Sequence, residues 1–506
     1  MARVLIVSTN RERTPFPVMP VGPAIVAAHA RAAGHEVRLL DLMFERDVAG
    51  ALRSAVAAFR PEAAGVSMRN VDNSDLVDTK FHVPDVEETL RLLRREAPGL
   101  PVVLGGAATS IEPRALLALW GPGGSALAPG EPPLVDVLLA GDAEERFPRL
   151  LDRVLSGRPV SDLPGVCARG EDGAVSFHAA GLSEPLDGLL EARLFDHVDV
   201  ARYARADGVY PVQTRRGCAF TCTYCTYGSI EGTRLRLRPP SDVADEVERA
   251  LGAGVTRFEF VDAVFSHPAA HARAVLEELL ARGLSRRVEL SASGLNPAGV
   301  SEDLVRLMRR AGFTSVSATV ESASTAMLRR MRKGFDAGEV DRLAGWLPKH
   351  GIPAVWIFLV GSPGETPGTV EETFDFVARR VPPRDLAYVT SGVRVYRGTG
   401  LHRELLSSGL LDEGQDLLPP LFAFSASLPR EAYLERLLAL SSRHPNVVSS
   451  FEAGQPVVER LARLLGRLPL PRPRWRLLPL VRRFGSPFRR ARADALTSAP
   501  WPVVLA

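Results

Sequence analysis

Thr214-Arg-Arg-Gly-Cys218-Ala-Phe-Thr-Cys222-Thr-Tyr224-Cys225 is the stretch on which the reading of this 506-residue chain turns. Three of the four cysteines of the protein lie in it. Their spacing, C-x3-C-x2-C, lets one wrapped loop aim three thiolates at a common centre, and soft sulfur donors suit an iron–sulfur cluster or zinc. Structural zinc would take a fourth Cys or His at finger-like spacing, and none lies nearby. The remaining Cys167 is far off in sequence. Held by three ligands, a four-iron cluster keeps one iron open to an outside ligand.

Outward from this loop the chain alternates strand and helix. Apolar runs at 212–216, 257–261, 288–291, 315–320, 355–360 and 387–390 are separated by helical patterns near 243–251, 269–281, 302–311, 339–349 and 370–379. Six βα units predict a partial barrel over residues 206–400 with its site at the carboxyl ends of the strands. Upstream, residues 1–155 repeat the rhythm, with strands at 4–8, 36–40, 63–67, 102–104 and 135–139. Buried runs separated by helices predict a doubly wound, Rossmann-like α/β domain. Residues 156–205, rich in Gly, Pro and Asp, read as a connector with a hairpin, and residues 401–506 as a mainly helical C-terminal region.

The cysteine spacing, with Tyr224 before the third Cys, resembles the radical S-adenosylmethionine superfamily. The resemblance implies a [4Fe–4S] cluster on Cys218, Cys222 and Cys225 whose open iron chelates S-adenosylmethionine, and places Tyr224 beside adenine. Phe258-Glu-Phe-Val-Asp262 is similar to the second-strand motif that holds the methionine end, although the usual Gly-Gly-Glu is Val261-Asp262-Ala263 here. Ser293 closes the third strand. Val320-Glu321-Ser322 with Met331-Arg-Lys333-Gly resembles the G-x-E-S…M-x-K-G pattern of the cobalamin-binding branch and makes Glu321 a ribose acceptor. Gly361-Ser-Pro-Gly-Glu365 resembles the fifth-strand motif near adenine. Val393-Arg394-Val-Tyr396-Arg-Gly-Thr is similar to the closing Y-P-G-T and puts Arg394 among the cofactor contacts.

The first domain lacks a G-x-G-x-x-G fingerprint after its first strand. Instead, Asn10…Pro20-Val-Gly22, Gly105-Gly106…Thr109-Ser110 and Gly141-Asp142 resemble the cobalamin-binding domain fused to many radical SAM enzymes. That implies cobalamin as third cofactor, with Gly105 and Gly106 letting its tail approach the backbone and Thr109 or Ser110 bonding it. The axial-histidine motif D-x-H-x-x-G is absent, and His29 and His35 lie away from the strand ends. The third strand runs into Ser67-Met68-Arg69-Asn70, and a guanidinium cannot coordinate cobalt. Arg69 beneath the ring would therefore leave the metal without a protein ligand; the alternative is a salt bridge to Asp72 or another loop carboxylate.

Together these resemblances imply a cobalamin-dependent radical SAM methyltransferase, moving methyl from methylcobalamin to an unactivated carbon, or phosphorus, of a small molecule or peptide. A cyclase or rearrangement enzyme without net methyl transfer, or a lipid- or tetrapyrrole-modifying relative, is the alternative. An external one-electron reductant of flavodoxin or ferredoxin type is implied. Composition is that of an ordinary soluble protein, with 46% hydrophobic and 24% charged residues, and no run suits a membrane span. Few cysteines and no signal segment point to a reducing, cytoplasmic setting. Between Arg463 and Arg492 the chain carries ten Arg and no acid, so the +3 net charge belongs to this tail and the rest is net acidic. The tail is expected to dock on the body or stay mobile, with weak membrane contact the next reading; no nucleic-acid partner is expected.

Overall fold

The computed structural model describes residues 1–13, 16–170, 173–178, 186, 188, 191–450, 474–479, 482 and 501–506. Apart from 474–479 and 482, the arginine-rich tail at 463–492 lies outside the described residues. The chain forms two compact units. The first comprises Met1–Asn73, Phe81–Ala204 and Thr226–Gly232, the second Ser74–Lys80, Arg205–Cys225 and Thr233–Ala506.

The first unit is built on β1 (Arg3–Ser8), β2 (Glu36–Asp41), β3 (Ala63–Ser67), β4 (Val102–Gly105), β5 (Val137–Leu139), β6 (Val166–Arg169) and β7 (Val175–Phe177), in the order β2-β1-β3-β4-β5-β6-β7. The first five pair in parallel and the last two antiparallel. The predicted doubly wound domain is thus present. The hairpin expected in the 156–205 connector extends its sheet instead of merely linking domains. Helices α1 (Val21–Ala32), α2 (Val48–Phe59), α3 (Val83–Glu96), α4 (Ala107–Ile111), α5 (Pro113–Trp120), α6 (Arg146–Leu155) and α7 (Val200–Arg205) complete the unit. Val4, Ile6, Val103, Val137 and Leu139 of the strands bury against Ala27 and Ala30 of α1 and Phe147, Leu150 and Leu151 of α6. Their continuous apolar runs are those of a sheet covered on both faces.

The second unit holds a seven-stranded parallel sheet: β8 (Tyr210–Val212), β11 (Arg257–Phe260), β12 (Glu289–Leu295), β13 (Phe313–Glu321), β14 (Ala354–Val360), β15 (Leu386–Ser391) and β18 (Val447–Ser449), in the order β18-β15-β14-β13-β12-β11-β8. Helices α9 (Pro240–Gly252), α10 (Ala269–Ala281), α11 (Glu302–Ala311), α12 (Thr325–Arg330), α13 (Ala337–Lys349) and α14 (Pro367–Arg380) form its crossovers. The expected first strand at 212–216 divides. Arg215–Arg216 form β9, antiparallel to β10 (Arg236–Leu237), because the Thr214 and Arg215 amides turn to Asp262 instead of the sheet. α8 (Tyr227–Ile230) follows the cysteine loop and packs with α4 in the first unit. The C-terminal region supplies α15 (Gly400–Ser407) and α16 (Arg430–Arg443). It also supplies β18, which adds a seventh strand to the six expected, and β17 (Phe422–Phe424), which joins β16 (Val393–Arg394) and β19 (Val503–Leu505) in a small sheet.

Strand periodicity divides the larger sheet into two faces. Phe258, Phe260, Leu290, Ala292, Val316, Ala318, Phe358 and Val389 are fully buried. The alternate positions Glu259, Ser291, Ser293, Ser317, Thr319, Ile357, Leu359, Tyr388 and Thr390 stay partly open. The open face is mostly polar.

Candidate active site and cofactor cradle

The cysteine loop leaves the β9 corner, and Asp262 shapes that corner. Its carboxylate, 2% exposed, accepts from Thr214 N and Oγ1, both at 2.7 Å, and from Arg215 N at 3.1 Å. Burial pushes the Asp262 carboxyl up, and Arg215 and the Thr214 donors oppose this. Both oxygens accept within the protein, so Asp262 positions the corner from which the cysteine loop leaves. Arg215, equally buried, donates to the carbonyls of Gly217 and Val264 and so holds the residue before Cys218.

Cys218 is buried, Cys222 and Cys225 are half-buried, and none is in a disulfide. Among the described residues no group of three His, Cys, Asp or Glu is arranged for a single metal ion. Three thiols on one loop, none in a disulfide, fit instead the donor set of an iron–sulfur cluster, in which each thiolate takes a different iron. Thr223 N donates to Met331 O at 3.1 Å, and Thr223 O accepts from Leu401 N at 2.7 Å, so the loop is clamped from both sides.

Glu321 ends β13 with φ of 60°, a left-handed conformation for a residue with a side chain, just past a register shift against β14. Such strain persists only where the surroundings enforce it. Here Ser322 Oγ and the Ala323 amide bind Thr373 Oγ1 at 3.0 and 3.2 Å, fixing the turn that follows. Glu321 Oε2 pairs with Lys333 Nζ at 2.6 Å, with side chains 11% and 4% exposed. Lys333 also donates to the Tyr224 hydroxyl at 3.2 Å and stands 5.7 Å from the centres of the Tyr224 and Phe335 rings. Burial acts to lower the Lys333 ammonium, but Glu321 and the thiols Cys222 and Cys225 outweigh it and hold it up. Burial drives the Cys222 thiol up, with Lys333 pulling the other way. The M-x-K-G pattern marked Lys333; its pairing with Glu321 is visible only in three dimensions.

Gly361 has φ of 88°, and a side chain there would strike the Phe424 ring. Its N–H donates to Glu365 Oε2 at 2.5 Å, and burial lifts the Glu365 carboxyl to about 7. Ser293 is exposed on the open face, bonding Phe260 O at 3.2 Å. Arg394, expected among the cofactor contacts, has internal partners. Its buried guanidinium donates to Val395 O at 2.5 Å, Leu417 O at 2.8 Å and Leu418 O at 3.2 Å, and lies over the Tyr396 ring, which makes it a brace for the 417–418 segment.

In the first unit, the carboxyl ends of β1, β3, β4 and β5 bring most of the expected cobalamin residues onto one edge. Thr9 N and Oγ1 donate to Ser67 O at 3.3 and 2.8 Å, Met68 N to Gly105 O at 2.8 Å, and Gly141 N to Ser110 Oγ at 2.8 Å. Among the described residues buried Asn10 Nδ2 has no hydrogen-bond partner, while Asn10 Oδ1 accepts from Glu12 N at 3.3 Å. An orphaned donor on a ligand-binding edge fits a polar ligand such as the corrinoid's amide-rich periphery. Arg69 is exposed and Asn70 half-buried on the loop beyond β3, and Asp142 is buried beside Gly141. Two of these residues have internal roles. Thr109 Oγ1 donates to Gly106 O at 2.7 Å and lies 2.8 Å from Leu139 O, so its hydroxyl braces the edge and Ser110 keeps the available one. Gly106, with φ of 105°, packs where a Cβ would overlap the Met68 carbonyl, so its glycine serves internal packing; Gly105 is the open position. His35 precedes β2 at the opposite edge, 3.9 Å from Asp152.

The model of the radical SAM superfamily matches residues 212–377, and that of the B12 binding domain matches residues 8–138. The chain thus carries a B12 binding domain followed by a radical SAM domain. These domain families define the cofactor set: a [4Fe–4S] cluster with S-adenosylmethionine, and cobalamin. Tryptophan 2-C-methyltransferase of Streptomyces laurentii is 26% identical to the enzyme, covering 71% of this chain and 67% of that one. Hopanoid C-3 methylase of Methylococcus capsulatus is 24% identical, over 63% and 56% of the two chains. The fold matches that of the radical S-adenosylmethionine methyltransferase TsrM from Kitasatospora setae, with a TM-score of 0.80 at 22% identity over 95% and 98% of the chains. Among the described residues no helix is long and apolar enough to cross a membrane.

Proposed function

We propose that the enzyme transfers a methyl group to an unactivated carbon, or phosphorus, of a small molecule or peptide in a reducing, cytoplasmic setting. The observation that carries this reading is the three-thiol loop wired to the buried Lys333–Glu321 pair in a chain whose other sheet edge presents an orphaned Asn10 amide. When bound, the cluster supplies single electrons to the sulfonium of S-adenosylmethionine and the corrinoid carries the methyl group.

The chain's own residues orient these groups. Cys218, Cys222 and Cys225 hold the cluster. Glu321, fixed by Lys333, accepts from ribose hydroxyls, and the strained turn aims it. Tyr224, locked by Lys333, presents its backbone to adenine, with Gly361 leaving room nearby and Ser293 offering a hydroxyl. Asp262 and Arg394 act through the segments they brace. Asn10, Ser67, Gly105, Ser110 and Gly141 cradle the corrinoid. Met68 and Asn70 shape the loop that carries Arg69, whose guanidinium offers cobalt no ligand atom.

The test is an anaerobic assay of the reconstituted enzyme with isotopically methyl-labelled S-adenosylmethionine and candidate substrates, read by mass spectrometry. S-adenosylhomocysteine that forms only with cobalamin, and a product one methylene heavier that carries the label, are expected. 5′-Deoxyadenosine without S-adenosylhomocysteine would instead mark a ring-closing or rearranging enzyme. Replacing the three cysteines by Ala should abolish both products, and retained cleavage would overturn the cluster assignment.

A further inference from the structure

Residues Ser74–Lys80 belong to the second unit, although the chain on either side of them belongs to the first. Leu76, fully buried, fills the space beside Gly392, which has φ of 70° and where a Cβ would strike it. Ser74 Oγ and the Tyr396 hydroxyl share a hydrogen bond at 2.8 Å. These contacts hold the segment to the turn that follows β15. They also bring Asp75 to Tyr388, 313 residues away, whose hydroxyl donates to Asp75 Oδ2 at 3.5 Å.

Asp75 is 6% exposed, and its carboxylate is built into place. Oδ1 accepts from Val77 N at 2.8 Å and Asp78 N at 3.0 Å, and Thr79 Oγ1 donates to the Asp75 carbonyl. The Tyr388 contact is well beyond the ~2.7 Å usual for a hydroxyl donor, a weak anchor for a segment that Leu76 and Ser74 already hold. Burial pushes the Asp75 carboxyl up; against it act the Asp78 and Val77 amides and, after them, the Ser450 hydroxyl. That hydroxyl, on a residue 1% exposed, nevertheless has no hydrogen-bond partner among the described residues. A buried polar group left over in this way calls for a partner from outside the chain.

Tyr388 opens the group to the mostly polar face of the larger sheet, where it is half-buried. After burial, Asp75 and Asp78 push its phenol up, so among the described residues both charges that act on it are carboxylates. Oxygens gathered in a negative field repel an anion and suit a cation, and an ammonium group brings three N–H donors and no acceptor. Ile357 and Leu359, opposite Tyr388 and Thr390 on β14, lay apolar surface beside the charge.

We propose that Asp75, Tyr388 and Ser450 bind a protonated primary amine of the substrate, with its carbon chain lying along Ile357 and Leu359. Calling that amine the substrate's rests on the methyltransferase reading, whereas its binding is measured without turnover.

The probes are hexylamine and hexan-1-ol, alike in carbon chain and different in charge. They are titrated by ligand-observed NMR against the full chain reconstituted with cluster and hydroxocobalamin. The parent should bind hexylamine at least ~10-fold more tightly than hexan-1-ol, the effect of a hydrogen-bonded charge. Asp75→Asn keeps an acceptor for the Val77 and Asp78 amides, so it should erase this preference and leave hexan-1-ol binding unchanged. Tyr388→Phe should weaken hexylamine about 3-fold without moving hexan-1-ol, and it decides the matter if Asp75→Asn does not fold. Nα-Acetyl-lysine methylamide separates two sources of the group: tighter binding than hexylamine assigns a peptide lysine, weaker binding a free amine. Equal affinity of the parent for amine and alcohol would overturn the proposal. So would a preference that survives in folded Asp75→Asn or is undiminished in Tyr388→Phe. Equal weakening of both probes with a lowered melting temperature would overturn it too, marking a structural clamp. Amine binding as expected, with no labelled methyl product in the turnover assay, would count against the methyltransferase reading and leave the amine site standing.

Discussion

Around the cysteine loop, order comes from buried charge: Lys333, Glu321 and Tyr224 interlock within 3.2 Å, and a strained backbone holds the carboxylate in place. Along the carboxyl edge of the first sheet, order comes from the backbone, through Thr9 to Ser67, Met68 to Gly105 and Gly141 to Ser110, and the Asn10 amide has no partner among the described residues. The first arrangement makes each partner expensive to remove, because a buried charge without its counter-ion loses solvation and gains nothing. The second tolerates side-chain loss and reads out mainly as ligand affinity. The contrast matches the two tasks proposed above, fixing a reactive sulfonium and cradling a large macrocycle.

The sharpest way to break this contrast is Lys333→Met. It leaves Glu321 buried and unpaired and should cost about 3–5 kcal/mol in denaturant unfolding of the cluster-free chain. The double variant with Glu321→Gln should recover much of that loss. A loss below about 1 kcal/mol would mean that the pair does not organise the site.

A smaller effect is expected at Glu365, whose carboxyl rises from an ordinary 4.5 to about 7 on burial. The folded chain therefore holds a proton that the unfolded chain releases. The stabilisation is complete below pH 4.5 and is lost as pH climbs through 7, a change of about 3–4 kcal/mol. Glu365→Gln keeps an acceptor for the Gly361 amide, so it should flatten that slope and exceed the parent's stability at pH 8. Parallel pH profiles for the two chains would show that Glu365 does not carry the slope.

The smallest effect belongs to the backbone-built edge. Asn10→Ala should weaken hydroxocobalamin binding by about 1 kcal/mol, roughly 5-fold, and leave the melting temperature unchanged. Unchanged affinity with a lowered melting temperature would make Asn10 a structural residue.

Much of the fold was legible because its signals are local. Apolar runs such as Val102–Gly105 and Ala354–Val360 announce buried parallel strands, and capped stretches such as Thr366 before α14 announce helices. The seventh strand was not, because Val447–Ser449 is three residues long and only pairing with β15 makes it a strand. Site residues divided in the same way. Cys218, Cys222 and Cys225 share one short loop, so spacing alone exposes their chemistry. Asp262, Thr109 and Arg394 sit at motif positions yet spend their polar atoms on neighbours 48, 30 and up to 24 residues away, and no local pattern encodes those partners.

The sequence by itself determined two βα series, a three-thiol loop at a strand end and an edge without an axial histidine, because periodicity and spacing are properties of neighbouring residues. Only the tertiary structure decided which polar atoms remain for ligands. It paired Glu321 with Lys333, took Asp262, Thr109 and Arg394 into internal bonds and left the Asn10 amide without a partner among the described residues. Each of those outcomes depends on what folding brings within about 3 Å of a donor or acceptor, which is the range over which hydrogen bonds act.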